Sequence, residues 1–173
     1  MVKINSKDIE YIIDAHTNFA TKPSKAIRKW DGQTPYYMHP IWCATTLATE
    51  TTLDEKTREE GIQVLLYHDV LEDTTKELPE HLTSRVKELI NHMSFSGGSA
   101  QEMEEIWTKP IEVKLYKIYD KVSNLLDGTW MDSEKRAKYE DYTKKLCEEV
   151  IKEYKKLNIL SIAREVINKW ETY

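Results

Sequence analysis

The segment that follows Pro110 constrains the fold more than any other part of the chain. Its apolar residues recur every one to four positions, a pattern expected of a helix that is buried nearly all round. They are Ile111, Val113, Leu115, Ile118, Val122, Leu125 and Leu126. Only five Gly and five Pro occur in 173 residues, so few positions favour turns. The segment therefore predicts an all-α protein, a helical bundle around one central helix.

Helical spacing on both sides of this segment predicts further helices. One is expected from about Ser6 to Ala20, with several apolar residues facing the core: Ile9, Ile12, Ile13 and Phe19. Two more are expected at about residues 132–172, as a cover over a core formed by about residues 6–130. The whole length, 1–173, is that of one ordinary domain, so we predict a single domain.

Composition and charge exclude several classes of protein. No run approaches the ~18 apolar residues of a membrane span, and the amino terminus lacks the apolar centre of a signal peptide, so we predict a cytoplasmic protein without a membrane partner. Cys43 and Cys147 lie far apart in predicted helices and do not indicate a disulfide framework. A net charge of −5 argues against stable nucleic-acid binding, whereas a small anionic substrate needs only a local positive patch. Composition does not indicate an oligomeric state.

The segment Leu65–Thr74 crowds four ionisable side chains into six positions: His68, Asp69, Glu72 and Asp73. If one helix continues through it, His68 lies one turn before Glu72, and Asp69 lies one turn before Asp73. A bound cation would relieve the repulsion among the carboxylates. The alternative is a helix end whose polar groups face water.

Two other segments contain candidate metal ligands. His39 precedes a proline at the start of a predicted helix, although a lone histidine there is more often a packing or capping residue. Asp120 lies within the most apolar helix, where a buried carboxylate needs a partner. That partner could be a metal ion, or it could be Lys117 or Lys121.

Together, His39, His68, Asp69 and Asp120 form a set of nitrogen and oxygen ligands suited to a divalent metal such as Mn²⁺, Fe²⁺ or Zn²⁺. A bound cation lowers the pKa of its water from near 16 toward roughly 7 and offsets charge on a phosphoryl oxygen. This combination favours hydrolysis of a phosphoester or pyrophosphate.

The order and spacing of these motifs resemble the HD superfamily. Within it, the sequence is similar to the hydrolase domain of the RelA/SpoT homologues and to their small stand-alone relatives that degrade guanosine tetraphosphate. The similarity runs from about His16 to Asp127, through Arg28-Lys29, Thr34-Pro35-Tyr36, His39-Pro40, His68-Asp69 with Glu72-Asp73, and Lys117 to Asn124.

The resemblance implies roles for individual residues. His39, His68, Asp69 and Asp120 would hold a divalent metal, for which Mn²⁺ is our first choice, and Glu72 and Asp73 would orient or deprotonate the attacking water. Four residues would contact a small anionic nucleotide: Arg28, Lys29, Lys117 and Asn124.

Departures from the family pattern leave the substrate open. The segment before Arg28 is longer than usual and adds Lys22 and Lys25, Tyr119 replaces a small residue, and the segment His92–Gly98 does not follow the family pattern. Within this region, Ser96–Ser99 is a candidate mobile loop. Other HD enzymes, such as a nucleotidase, a deoxynucleotide triphosphohydrolase or an NADPH phosphatase, share the same metal site. A catalytically silent nucleotide-binding regulator is an alternative of another class.

Overall fold

A computed structural model describes residues 4–170, with side chains described up to residue 167. Residues 1–3 and 171–173 of the predicted domain therefore lie outside the described residues. The described chain forms nine α-helices: α1 (Ser6–Asn18), α2 (Met38–Ala48), α3 (Glu55–Tyr67), α4 (Val70–Asp73), α5 (Ser84–Met93), α6 (Gly98–Glu105), α7 (Ile111–Leu126), α8 (Ser133–Tyr154) and α9 (Asn158–Trp170). Pairing of the β type in this part of the chain is limited to two isolated bridges, so the all-α prediction is confirmed.

Short polar side chains fix where several helices begin. The side chains of Asn5, Asp54, Thr83 and Asp132 accept hydrogen bonds from backbone N–H groups in the first turns of α1, α3, α5 and α8. Such caps satisfy donors that have no partner within the helix.

The first helix begins at Ser6, as predicted, but differs from its prediction at the other end. Asn5 caps it, and it ends at Asn18 instead of continuing to Ala20. Ile12 is buried, but Ile13 and Phe19 are 37% and 42% exposed, so the prediction that these two face the core is wrong. Phe19 lies beyond the last helical residue, where helical spacing no longer determines its direction.

The predicted central helix is α7, in which eleven of sixteen residues are buried. It packs against α2, α3, α5, α8 and α9. Gly61 of α3 permits a close approach, because a Cβ there would lie 2.5 Å from Leu47 Cδ2 of α2 and 2.6 Å from Tyr116 Cε1 of α7. The close packing of α2, α3 and α7 holds the segments that carry the candidate ligands.

The second half of the candidate mobile loop Ser96–Ser99 is helical. Gly98 and Ser99 begin α6, and Gly98 has a φ of +68°, a backbone conformation that favours glycine.

In the described part of the chain, no helix has the length and apolar character needed to cross a bilayer.

Candidate functional site

The four predicted metal ligands come from three places in the fold. His39 is the second residue of α2, where Pro40 suits the first turn, and Asp120 lies in the middle of α7. His68 and Asp69 lie between two helices, because α3 ends at Tyr67 and α4 begins at Val70. The expectation of one continuous helix through His68 and Asp69 is therefore wrong.

Three of these residues form a compact group of candidate ligands. One ligand atom from each of His39, His68 and Asp69 lies within 4.8 Å of the other two. Asp69 Oδ2 is 3.2 Å from His68 Nε2 and 3.5 Å from His39 Nε2. Ligand atoms that share one ion at about 2.1 Å are separated by roughly 3.0–3.4 Å, so these spacings suit a shared cation. Asp120 is not part of this mutual group, but its Oδ1 lies 3.4 Å from His39 Nε2.

The hydrogen bonds of His68 indicate which of its nitrogens can bind a metal. Its Nδ1 lies 2.8 Å from the backbone oxygen of Leu65, which can only accept, so Nδ1 carries the hydrogen. Its Nε2 is buried and has no hydrogen-bond partner among the described residues. A metal ion would satisfy this buried lone pair, and the residues present therefore fit a bound metal.

His39 is similarly oriented. Its Nδ1 lies 2.8 Å from Ser123 Oγ, and its Nε2 faces the two aspartates. Burial lowers the pKa of His39, and the positive charge of Arg28 lowers it further. A neutral imidazole is the form that coordinates a metal.

Asp120 uses its two carboxylate oxygens in different directions. Oδ2 lies 3.2 Å from the Nζ atoms of both Lys117 and Lys121. Oδ1 faces His39 and accepts a hydrogen bond of 2.6 Å from Asn124 Nδ2. Burial acts to raise the pKa of Asp120, but the two lysines hold it well below its usual range. Asp120 can therefore pair with both lysines through Oδ2 while Oδ1 remains directed at the candidate metal site.

Tyr36 supports the site in a way that the sequence did not indicate. Its hydroxyl donates a hydrogen bond of 2.8 Å to Asp69 Oδ2, the oxygen that faces both histidines. The Tyr36 ring lies against the buried ring of His16, with centroids 5.0 Å apart, and the Arg28 guanidinium lies 5.3 Å from its centroid. The resemblance placed Tyr36 in a motif, but it gave no role to its hydroxyl.

Glu72 and Asp73 have different surroundings. Glu72 is open to solvent, and its Oε1 accepts a hydrogen bond of 2.7 Å from the backbone N–H of Phe95. Partial loss of hydration raises its pKa, and the charge of Asp69 raises it further. Asp73 is buried and forms an ion pair of 2.5 Å with Lys25. Glu72 thus has a carboxylate oxygen that is free to meet a ligand, whereas Asp73 is partly occupied.

Three of the four predicted substrate contacts have partners within the protein. Arg28 is 7% exposed and donates hydrogen bonds to Asp127 Oδ2 at 2.6 Å and to Asn124 Oδ1 at 3.0 Å. Asn124 therefore connects Arg28 with Asp120, and Lys117 is buried against carboxylates. Lys29, in contrast, is exposed, with its Nζ 4.4 Å from the ring centroid of Trp130.

These side chains surround one cavity of about 280 Å³. The residues that line it include acidic side chains of the predicted site and a series of basic ones: Asp69, Glu72, Asp73, Asp120, Lys22, Lys25, Arg28, Lys29, Lys117, Lys121 and Lys135. Neither His39 nor His68 lines the cavity, so an ion bound to them would lie between these two histidines and the open space. Acidic groups beside a metal site and basic groups around them suit an anionic substrate.

Comparisons with known proteins identify the fold. No protein-family model and no curated protein matches the sequence. The helical fold is similar to that of a solved structure described as a metazoan ortholog of SpoT that hydrolyzes ppGpp and plays a role in starvation responses. The TM-score is 0.70, the identity is 20%, and the match covers 98% of each chain. The predicted resemblance to the HD-type hydrolase domain of RelA/SpoT homologues is thus confirmed at the level of the fold.

Proposed function

We propose that this protein is a metal-dependent nucleotide phosphohydrolase that removes pyrophosphate from guanosine tetraphosphate or pentaphosphate. The observation that carries the proposal is the group of His39, His68 and Asp69, in which a buried histidine nitrogen lacks a partner. The adjoining cavity, lined by carboxylates and lysines, supports an anionic substrate. Likeness in fold to a protein described as hydrolyzing ppGpp supports the choice of nucleotide.

The proposed cofactor is a divalent cation, with Mn²⁺ as the first candidate and Fe²⁺ or Zn²⁺ as alternatives. His39, His68, Asp69 and Asp120 would hold it. When bound, the ion supplies Lewis acidity to a phosphoryl oxygen and makes a nearby water easier to deprotonate. Tyr36 would keep the Asp69 carboxylate directed at the two histidines.

Glu72 is the proposed general base. Its free carboxylate oxygen would accept a proton from the attacking water, and its raised pKa makes it a stronger base than an ordinary glutamate. The water oxygen forms a bond to phosphorus, the bond from phosphorus to the ribose 3′-oxygen breaks, and that oxygen takes up a proton. The products are GDP or GTP and pyrophosphate. Asp73, paired with Lys25, would help to orient the water.

The substrate contacts divide into two kinds. Lys29 is exposed beside the cavity and would meet the nucleotide directly. Arg28, Asn124 and Lys117 would act mainly by shaping the wall of the cavity, because their polar atoms already contact protein partners.

Product formation by metal-stripped protein, with and without added Mn²⁺, tests the proposal. The substrates are guanosine tetraphosphate, NADPH and a panel of ribonucleotides and deoxynucleotides. Glu72→Gln is expected to bind Mn²⁺ but to lose turnover, while the matched change Glu80→Gln, at an exposed position, leaves both intact.

The outcomes separate the proposed reaction from its alternatives. Mn²⁺-dependent release of pyrophosphate from guanosine tetraphosphate supports the proposal. Selective turnover of another nucleotide would still support an HD-type enzyme but would change the assigned activity. The protein would then be a nucleotidase, a deoxynucleotide triphosphohydrolase or an NADPH phosphatase. Nucleotide binding without turnover of any substrate would favour the silent regulator.

A further inference from the structure

A buried ion cluster joins α6 to the proposed metal site. It consists of Glu102, Lys117, Asp120 and Lys121, each at most 5% exposed. Glu102 lies 3.1 Å from Lys117 Nζ and 2.9 Å from Lys121 Nζ. Both lysines also lie 3.2 Å from Asp120 Oδ2. Glu102 is the buried residue of α6, so this helix contributes a carboxylate, and not an apolar side chain, to the interior.

The cluster is electrically balanced because two ammonium groups face two carboxylates. The Nζ of each lysine lies within 3.2 Å of a carboxylate oxygen of both Glu102 and Asp120, and these ion pairs stabilise both ammonium groups. Without Glu102, two positive charges would share the single charge of Asp120. An excess positive charge would then lie beside a carboxylate that the proposed function assigns to a metal ion, and it would repel that ion.

We infer that Glu102 is a positioning residue that sustains metal affinity by neutralising the two lysines beside Asp120. This inference rests on the metal site of the proposed function. Glu102 acts through Lys117 and Lys121, and it leaves Asp120 Oδ1 available to face His39. Each lysine is held between two carboxylates at the wall of the cavity.

The test is a calorimetric titration of the metal-stripped full-length protein with Mn²⁺. Glu102→Gln keeps the size of the side chain and removes its charge, and the uncompensated charge is expected to weaken Mn²⁺ binding by about tenfold to a hundredfold. Lys121→Met removes a positive charge instead, so its Mn²⁺ affinity should equal or exceed that of the unaltered protein. The double variant Glu102→Gln/Lys121→Met restores the charge balance and should recover the affinity to within a few-fold.

Glu104→Gln is the matched control, because it makes the same change at an exposed position of α6. It should bind Mn²⁺ as the unaltered protein does. Normal binding by Glu102→Gln, or failure of the double variant to recover affinity, would overturn the inference and leave the proposed function standing.

Two further outcomes keep the test decisive. If circular dichroism shows that Glu102→Gln does not fold, Lys121→Met decides the question: weaker Mn²⁺ binding overturns the inference, and equal or tighter binding supports it. Absence of Mn²⁺ binding by the unaltered protein would overturn the proposed metal site and the inference together.

Discussion

Removing one oxygen atom from Tyr36 tests whether its hydroxyl orients the Asp69 carboxylate. Tyr36→Phe keeps the ring that lies against His16 and Arg28 and removes only the hydroxyl, which donates a hydrogen bond of 2.8 Å to Asp69 and also interacts with Asp73. A hydrogen bond to a charged group contributes about 1.5–3 kcal/mol. Loss of a partner that orients a metal ligand typically reduces metal affinity by about 10–100-fold. The two ranges agree, since about 1.4 kcal/mol corresponds to a factor of ten.

Two measurements test this prediction. Calorimetric titration of Tyr36→Phe with Mn²⁺ should give the weaker affinity, and thermal unfolding in chelator should show a melting temperature lower by roughly 3–12 °C. Tyr37→Phe, the same change at the next residue, is the control because that side chain packs against the apolar core. Tyr36→Phe with Mn²⁺ affinity within about twofold of the unaltered protein would refute the orienting role.

Three other changes have definite expected outcomes. Asp69→Asn should lose Mn²⁺ binding while circular dichroism stays helical; saturable binding at the usual concentration would contradict its role as a ligand. Burial lowers the pKa of His16 to about 4, so the folded protein binds this proton less readily than the unfolded chain. Stability from His16 is therefore complete above pH 6.5 and is lost as the pH falls toward 4, by up to about 3 kcal/mol, and urea unfolding in chelator should show a smaller loss for His16→Leu. Gly61→Ala should destabilise the protein by roughly 1–3 kcal/mol in urea, because its Cβ would collide with Leu47 and Tyr116; increased stability would show that helix propensity outweighs the collision.

The sequence was sufficient to predict the parts of the fold that depend on local periodicity. The apolar spacing after Pro110 predicted α7. Similar spacing predicted the two covering helices, which are α8 and α9, and the structure describes them as far as residue 170. It also supplied the residues His39, His68 and Asp69, which the fold brings together. The helix predictions succeed because residues three and four positions apart lie on the same face of a helix, which packs against the core.

Contacts between distant segments could not be predicted in the same way. Arg28 and Asp127 are 99 positions apart, and their hydrogen bond depends on how the loop after α1 packs against the end of α7. Glu102 lies in a polar segment, Gly98–Glu105, whose amino-acid composition is typical of a solvent-exposed helix. Only the packing of α6 against α7 side chains shows that its carboxylate is buried.

The way in which α2, α3 and α7 pack has a consequence for the loss of the proposed metal ion. These helices contact one another through their own apolar side chains, so the residues that would hold the ion are kept together by the folded core. In this respect the site differs from that of a zinc finger, which unfolds when its ion is removed. Chelation would leave a protein that is folded but inactive. The supply of metal ions would then set the fraction of molecules that are metal-bound and active. That fraction would change as fast as ions exchange, and activity would return without refolding or new synthesis.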